Sequence, residues 1–320
     1  MRLWSLVGCA ALAGCGSRTG LAIPEELASD GSTTDAAIPD GAPADATSDT
    51  NLPDAGFDAP PDVRPDVIRA DCPDADATLV YVVSMDHRLY SFYPPTASFQ
   101  FIGTLDCPTS DGVFSMAVDR KGTAYVLYNN AATPTVGTLF RASTRTAACV
   151  ALPQYQPDQQ GFNVFGMGFA TVGGGPAEKL YVLGAPDFSG SSGLATIDTT
   201  TLKLGFVGDN NPPLFGGELT GTGDGRLFSF YLYGSMQQPF IGEVDENTGH
   251  VKSETQLSGF GTVGAFAVAF WGGDFYVFTT PGGGGPSSVT RYRPADKSTV
   301  VVGSIGVTIV GAGVSTCAPQ

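Results

Sequence analysis

A strand-length segment recurs five times between residues 78 and 280, at intervals of about 44 to 56 residues. Each copy is rich in β-branched and aromatic residues, which favours a β-strand. The copies read TLVYVVSM, GTAYVLYN, EKLYVLGA, GRLFSFYL and GDFYVFTT, with aligned aromatic residues Tyr81, Tyr125, Tyr181, Phe228 and Tyr276. A repeat of this period restricts the chain to a small set of repeat architectures.

The segments that flank each copy also repeat. Apolar strands with many small residues come before it, reading FSMAVD, FGMGFATV, GGELTG and GAFAVAFW. Behind it lie a third and a fourth strand joined by a turn, as in ATIDTTTLKLGFVG. Four strands per repeat predict an all-β fold, a β-propeller of four-stranded antiparallel blades, with the small residues at the crowded centre.

The two ends of the repeat region complement each other. The first repeat has strands two, three and four but no first strand, whereas Thr308–Pro319 is a spare strand that resembles the inner strands. We therefore predict five blades, with the C-terminal strand completing blade one and removing an open sheet edge. The alternative is a six-bladed ring that uses residues 74–83 differently, although the sequence contains no sixth aromatic strand.

The N-terminus has the pattern of a secretory signal. Arg2 is followed by a short apolar run and then by Leu12, Ala13, Gly14 and Cys15. This LAGC stretch resembles the lipobox of bacterial lipoproteins, which implies that residues 1–14 are a signal peptide and that Cys15 carries the lipid. The alternative is an ordinary secretory signal that is cleaved near Ala13. We expect a protein anchored to the membrane at Cys15, at the cell envelope and more specifically the outer membrane.

Residues 15–76 have the composition of an extended linker. Residues 21–76 contain twelve Asp and two Glu against two Arg, whereas residues 77–320 contain 17 acidic and 12 basic residues. A segment so rich in Asp, Ala and Pro cannot bury a core, and we expect it to be a disordered spacer before a propeller domain at 77–320. The net charge of −15 argues against a nucleic-acid-binding protein, because such proteins usually carry an excess of basic residues.

Four cysteines remain for the folded domain once Cys9 is removed and Cys15 is lipidated. Three pairings are open to them, and the spacing alone does not choose. The predicted ring closure places Cys72 and Cys317 at the same end of blade one, so that a disulfide there would fasten the closure. Cys107 and Cys149 would then link blades one and two, in an oxidising envelope compartment. The alternative is that all four are reduced and buried.

Residues typical of catalysis are few. His87 and His250 are both expected at outer hairpins and lie in no nucleophile motif. The inner strands offer the carboxylates Asp119, near a strand end, and Glu218, which are too few to assign a hydrolytic pair. VDENTGH and GTGDGR are interpreted as turns. We expect no catalytic residue, no metal and no cofactor.

Loop length distinguishes the two faces of the predicted ring. Connections between strands two and three, and between successive blades, are long and irregular, whereas those on the other face are mostly short. Long loops on a rigid scaffold commonly carry binding residues, although they can also be neutral insertions. Aromatic and methionine side chains there, beside Gln and Asn, suit sugar or peptide contacts, and we select Tyr155, Phe188, Tyr233 and Met236.

The lipobox, the acidic linker, the FSMAVDRKGTAYVL blade and the IVGAGVSTCAP ending together resemble lipoproteins of gliding, predatory bacteria with a β-propeller domain. This resemblance implies fold and location but supplies no activity, ligand or catalytic residue. We expect a monomeric, non-catalytic module that binds a protein or a glycan of the envelope. A polysaccharide hydrolase is the alternative, and a purely structural envelope component is the third hypothesis.

Overall fold

The computed structural model of the chain describes Cys72 and residues 78–130, 135–185, 193–214, 216–234, 237–282 and 284–320. The expected signal peptide 1–14, the lipid site Cys15 and the linker 15–76 (apart from Cys72) lie outside these residues. Phe188 and Met236 lie outside them as well. In the described part of the chain, no helix is both long enough and apolar enough to cross a membrane.

The described strands form five antiparallel sheets of four strands each, which confirms the five-bladed β-propeller. The inner strands contact one another around the ring. From the inner to the outer strand, blade two contains β4 (Gly112–Val118), β5 (Thr123–Asn129), β6 (Gly137–Ser143) and β7 (Cys149–Ala151). Blade three contains β8 (Phe165–Thr171), β9 (Glu178–Gly184), β10 (Leu194–Ile197) and β11 (Leu204–Gly208). Blade four contains β12 (Gly217–Gly221), β13 (Leu227–Tyr233), β14 (Gln238–Val244) and β15 (Val251–Gln256), and blade five contains β16 (Ala265–Trp271), β17 (Asp274–Thr280), β18 (Ser287–Arg293) and β19 (Ser298–Ile305).

Blade one joins the two ends of the propeller, as the sequence predicts. Its order is β20 (Ile309–Val314), β1 (Val80–Ser84), β2 (Arg88–Tyr93) and β3 (Ser98–Thr104). The C-terminal strand β20 pairs antiparallel with β1, and Tyr81 lies opposite Gly313. The sheet of blade one is therefore complete only when the C-terminal strand β20 pairs with β1, the first strand of the propeller in the sequence.

The aligned aromatic residues hold neighbouring blades together. The side chains of all five are 2–8 % exposed. Tyr125 contacts Phe169 of blade three with ring centroids 5.5 Å apart, and Phe228 stacks on Phe270 of blade five at 6.0 Å. Five hydrophobic clusters result, one at each interface between adjacent blades.

Glycines on the inner strands allow the blades to approach closely at the axis. A Cβ atom on Gly166 of β8 would lie 1.9 Å from the carbonyl oxygen of Gly217 on β12. A Cβ atom on Gly313 of β20 would lie 2.8 Å from the backbone nitrogen of Val118 on β4. Neither backbone can withdraw without moving a whole strand, which explains the small residues in the predicted inner strands.

Both predicted disulfides are present. Cys72 is bonded to Cys317, with Cα atoms 5.9 Å apart, and Cys107 is bonded to Cys149, with Cα atoms 4.8 Å apart. The first attaches the segment before blade one to the residues that follow β20. The second connects the segment after β3 to the outer strand of blade two.

Candidate functional site

One face of the propeller carries the connections between second and third strands and between successive blades, and we call it the loop face. A cavity of about 660 Å³ lies at the axis on this face, and we call it the funnel. Residues at the start of all five inner strands line it, including Phe114, Gly166, Glu218, Phe266 and Val310. The ring closure therefore builds the funnel from chain segments that lie up to about 225 residues apart in the sequence.

The funnel wall is mainly apolar. Its larger apolar side chains are Met85, Val113, Phe114, Leu232, Val263, Phe266 and Val310. Met85, which is 55 % exposed, lies in the turn between β1 and β2. The polar side chains in the described lining are Asn129, Gln237 and Glu218. An apolar wall with a few polar groups is typical of a small-ligand site.

Glu218 is the buried polar group of the funnel. It lies on β12, is 5 % exposed, and accepts a 2.7 Å hydrogen bond at Oε2 from the Ser115 hydroxyl on β4. The Ser115 oxygen in turn accepts a 3.2 Å hydrogen bond from the backbone N–H of Met167 on β8. Burial raises the pKa of Glu218 well above its ordinary value, against the opposing effect of these hydrogen bonds.

The funnel does not continue along the axis. Further along the inner strands, residues such as Met167, Leu219 and Ala312 surround a gap with no space for a water molecule. A ligand can therefore reach Glu218 only from the loop face.

The four residues selected from the sequence fall in different environments. Tyr233 is 47 % exposed at the end of β13, between Leu232 and Gly234, which both line the funnel. Tyr155 is 6 % exposed and packs in the cluster between blades two and three, so that replacing it would first disturb the core. Phe188 and Met236 are outside the described residues.

Sequence reasoning noted Glu218 but did not place it at the end of a cavity. The available signal was a carboxyl residue within GGELTG, a strand otherwise made of small and uncharged residues. Phe114 and Phe266, which were not selected, stand near the start of inner strands. That both residues lie at the funnel becomes evident only when the five inner strands are arranged in a ring.

The expected turns are confirmed, with one correction. Asp245 accepts hydrogen bonds from the backbone N–H groups of Asn247 and Thr248, at 2.9 and 3.0 Å, which closes the VDENTGH hairpin. His250 follows this hairpin. His87, however, is in the turn between the second and third strands of blade one and not at an outer hairpin, because residues 85–87 alone connect β1 to β2.

The opposite face contains a second carboxyl group of interest, which is half-buried. Glu178, at the start of β9, accepts hydrogen bonds from the backbone N–H of Arg120 at 2.8 Å and from the Thr316 hydroxyl at 2.9 Å. The Arg120 guanidinium also contacts Thr316 and the Cys72 sulfur, at 3.2 and 3.4 Å. Burial raises the pKa of Glu178 from 4.5 to about 7, despite the hydrogen bonds. This group fastens the C-terminal segment to blades two and three.

The described residues include no cluster of three or more His, Cys, Asp or Glu side chains that could hold a metal ion.

No family model and no curated protein sequence matches the chain. A chain in the crystal structure of a nidogen/laminin complex aligns over 73 % of this chain and 97 % of its own length, with 9 % identity and a TM-score of 0.45. The PQQ-bound aldose sugar dehydrogenase from Streptomyces coelicolor aligns over 71 % and 77 %, with 9 % identity and a TM-score of 0.39. Neither likeness assigns this chain to a family or an activity.

Proposed function

We propose that the propeller is a non-catalytic binding module whose ligand enters the funnel on the loop face. The observation that carries this proposal is the funnel itself, which is closed at one end, lined by all five blades and mainly apolar. Tyr233, whose side chain is exposed and contacts Phe240, lies beside Leu232 and Gly234 of the lining without itself lining the funnel. A rigid concave site of this kind suits a compact ligand or the projecting part of a glycan or protein.

The location is part of the same proposal. The LAGC stretch and the acidic linker support a lipoprotein that is anchored through Cys15 at the outer membrane and holds its propeller away from the bilayer. The ligand would then be a protein or a glycan of the envelope or its surroundings. Metabolic labelling with a fatty acid, lost in Cys15→Ser, tests the anchor independently of the ligand.

A polysaccharide hydrolase is the second candidate, and one observation favours it. A buried carboxyl group whose pKa is raised well above its ordinary value, as that of Glu218 is, is suited to act as a general acid. Glycoside hydrolysis usually requires a second carboxyl group across the scissile bond. Within the described lining of the funnel, Glu218 is the only carboxyl group, which supports binding over hydrolysis.

A glycan array combined with an array of envelope proteins tests the binding proposal on the full chain. Phe266→Ala removes a ring from the funnel wall, whereas Phe101→Ala removes an exposed ring from the outer strand β3. We expect a specific ligand whose affinity falls about tenfold or more in Phe266→Ala and is unchanged in Phe101→Ala. Equal loss in both variants, or no specific ligand for the folded chain, would contradict the proposal.

A further inference from the structure

Glu218 is the one titratable residue among the described residues that line the funnel. Its neighbours are neutral: the Ser115 hydroxyl on β4, the backbone of Met167 on β8, and Phe230, which lies opposite it on β13. As a carboxylate, Glu218 would require a positive partner, because hydroxyl and amide donors compensate only part of its lost hydration, and without such a partner burial favours the protonated form. The described lining contains no Lys, Arg or His that could supply this charge.

We infer that the ligand supplies the missing charge, and that the funnel binds a primary ammonium group carried on a compact apolar body, with the ammonium at Glu218. This inference rests on the proposed function of the funnel and names the chemistry of its ligand. An ammonium offers three hydrogen-bond donors and a full positive charge to the carboxylate. The apolar body would occupy the wall formed by residues such as Val113, Leu232 and Val310.

The remaining features of the funnel suit the same class of ligand. Phe114 and Phe266 both line it, and the faces of aromatic rings attract cations. Residues 77–320 contain 17 acidic and 12 basic residues, so that the propeller carries a mild net negative charge, which favours cations over anions. A carboxylate or phosphate ligand would instead meet Glu218 with no cation in the described lining to compensate it.

Proton release should accompany binding. Because Glu218 is buried, its carboxyl group stays protonated up to a higher pH in the empty site than an exposed Glu would. An ammonium beside it favours the carboxylate form. The proton leaves Glu218 for the solvent as the ion pair forms. Because Ser115, Met167 and Phe230 do not titrate, affinity for the ammonium should rise with pH until Glu218 is ionised in the empty protein.

Calorimetric titration of the full chain with 2-phenylethylammonium and with 2-phenylethanol, which share one carbon skeleton, tests this inference. The wild type should bind the ammonium about ten- to a hundredfold more tightly than the alcohol, as expected for a charged hydrogen bond. Titrations at one pH in phosphate and in HEPES, which differ in ionisation enthalpy, should show net proton release. Glu218→Gln should abolish both the preference and the proton release, whereas Glu178→Gln, at the half-buried carboxyl group of the opposite face, should retain them.

Equal affinity for the two compounds, or a preference that persists in Glu218→Gln, would overturn the ammonium inference. If both compounds bind with equal affinity and both bind more weakly to Phe266→Ala, the funnel is a binding site, but for a ligand of another chemical class. Failure of the wild type to bind the ammonium would also overturn the inference. The proposed function would fall only if the arrays gave no specific ligand, or if Phe266→Ala and Phe101→Ala affected its affinity equally. The comparison between the two compounds uses the wild-type chain and does not depend on the folding of any variant.

Discussion

Two glutamate residues, the half-buried Glu178 and the buried Glu218, lie near opposite ends of the propeller axis, and their environments differ. Glu178 is held by a backbone N–H and by Thr316 of the C-terminal segment. Glu218 interacts with the Ser115 hydroxyl and with the Met167 backbone, and it also borders a cavity. Both glutamates connect parts of the protein, but of the two only Glu218 lines a space that a ligand can enter.

Glu178 should make the stability of the protein depend on pH. Its pKa is raised from 4.5 to about 7 in the folded state, so that folding favours the protonated form. The resulting stabilisation is complete below pH 4.5 and is lost as the pH rises through 7, a change of up to about 3 kcal/mol in the free energy of unfolding. Urea unfolding at pH 5 and pH 7.5 should show this decrease in the wild type.

The neutral variant Glu178→Gln should have a smaller difference between the two pH values. Asp209→Asn, at an exposed carboxyl group, provides the matched control and should behave as the wild type does. An unchanged pH dependence in Glu178→Gln would show that another group is responsible.

The inner strands β4, β8, β12, β16 and β20 perform two tasks, since they pack the axis and form the funnel. Their small residues could be recognised in the sequence because they recur at equivalent positions of the repeat. Which backbone each glycine contacts could not be predicted, since Gly166 and Gly217 belong to different blades. The aromatic second strands could be predicted more fully, because each is a continuous run of β-branched and aromatic residues, which is typical of a strand buried on both faces.

Gly166→Ala should destabilise the propeller strongly. The new Cβ would lie 1.9 Å from the Gly217 oxygen and 2.9 Å from the Glu218 Cα, and both are backbone atoms. Overpacking of this kind costs about 1–3 kcal/mol or more. Gly261→Ala is the matched control, because no atom lies within 4 Å of its Cβ position, and it should change stability by less than about 0.5 kcal/mol. Similar denaturant midpoints for the two variants would contradict the close approach of β8 and β12.

The whole ring depends on a closure that involves both ends of the domain. The sequence predicted β20 in blade one and both disulfides, because counting strands left one strand missing at the start and one spare at the end. The ligand site could be predicted only in part. The loop face was selected as the binding face, and the funnel opens on this face. Tyr155, however, proved to be a core residue, and the funnel residues come together only in three dimensions.

The closing disulfide should contribute more to stability than the second one. Cys72 and Cys317 are 245 residues apart, whereas Cys107 and Cys149 are 42 apart. In the chain-entropy view, these loops correspond to about 5 and about 4 kcal/mol of stabilisation, respectively. The pair Cys72→Ser with Cys317→Ser should lower the urea midpoint at least as far as Cys107→Ser with Cys149→Ser. An unchanged midpoint in the first pair would show that β20 pairing alone holds the ring closed.

Methyl NMR of the full chain, labelled at its methionines, tests most directly whether a ligand enters the funnel. Met85 lines the funnel, whereas Met116 is fully buried in the cluster between blades one and two and serves as an internal control. On titration with a ligand retained from the arrays, the Met85 methyl signal should shift in proportion to occupancy while that of Met116 stays in place. A bound ligand that leaves the Met85 signal unchanged would contradict the assignment of the funnel as the binding site.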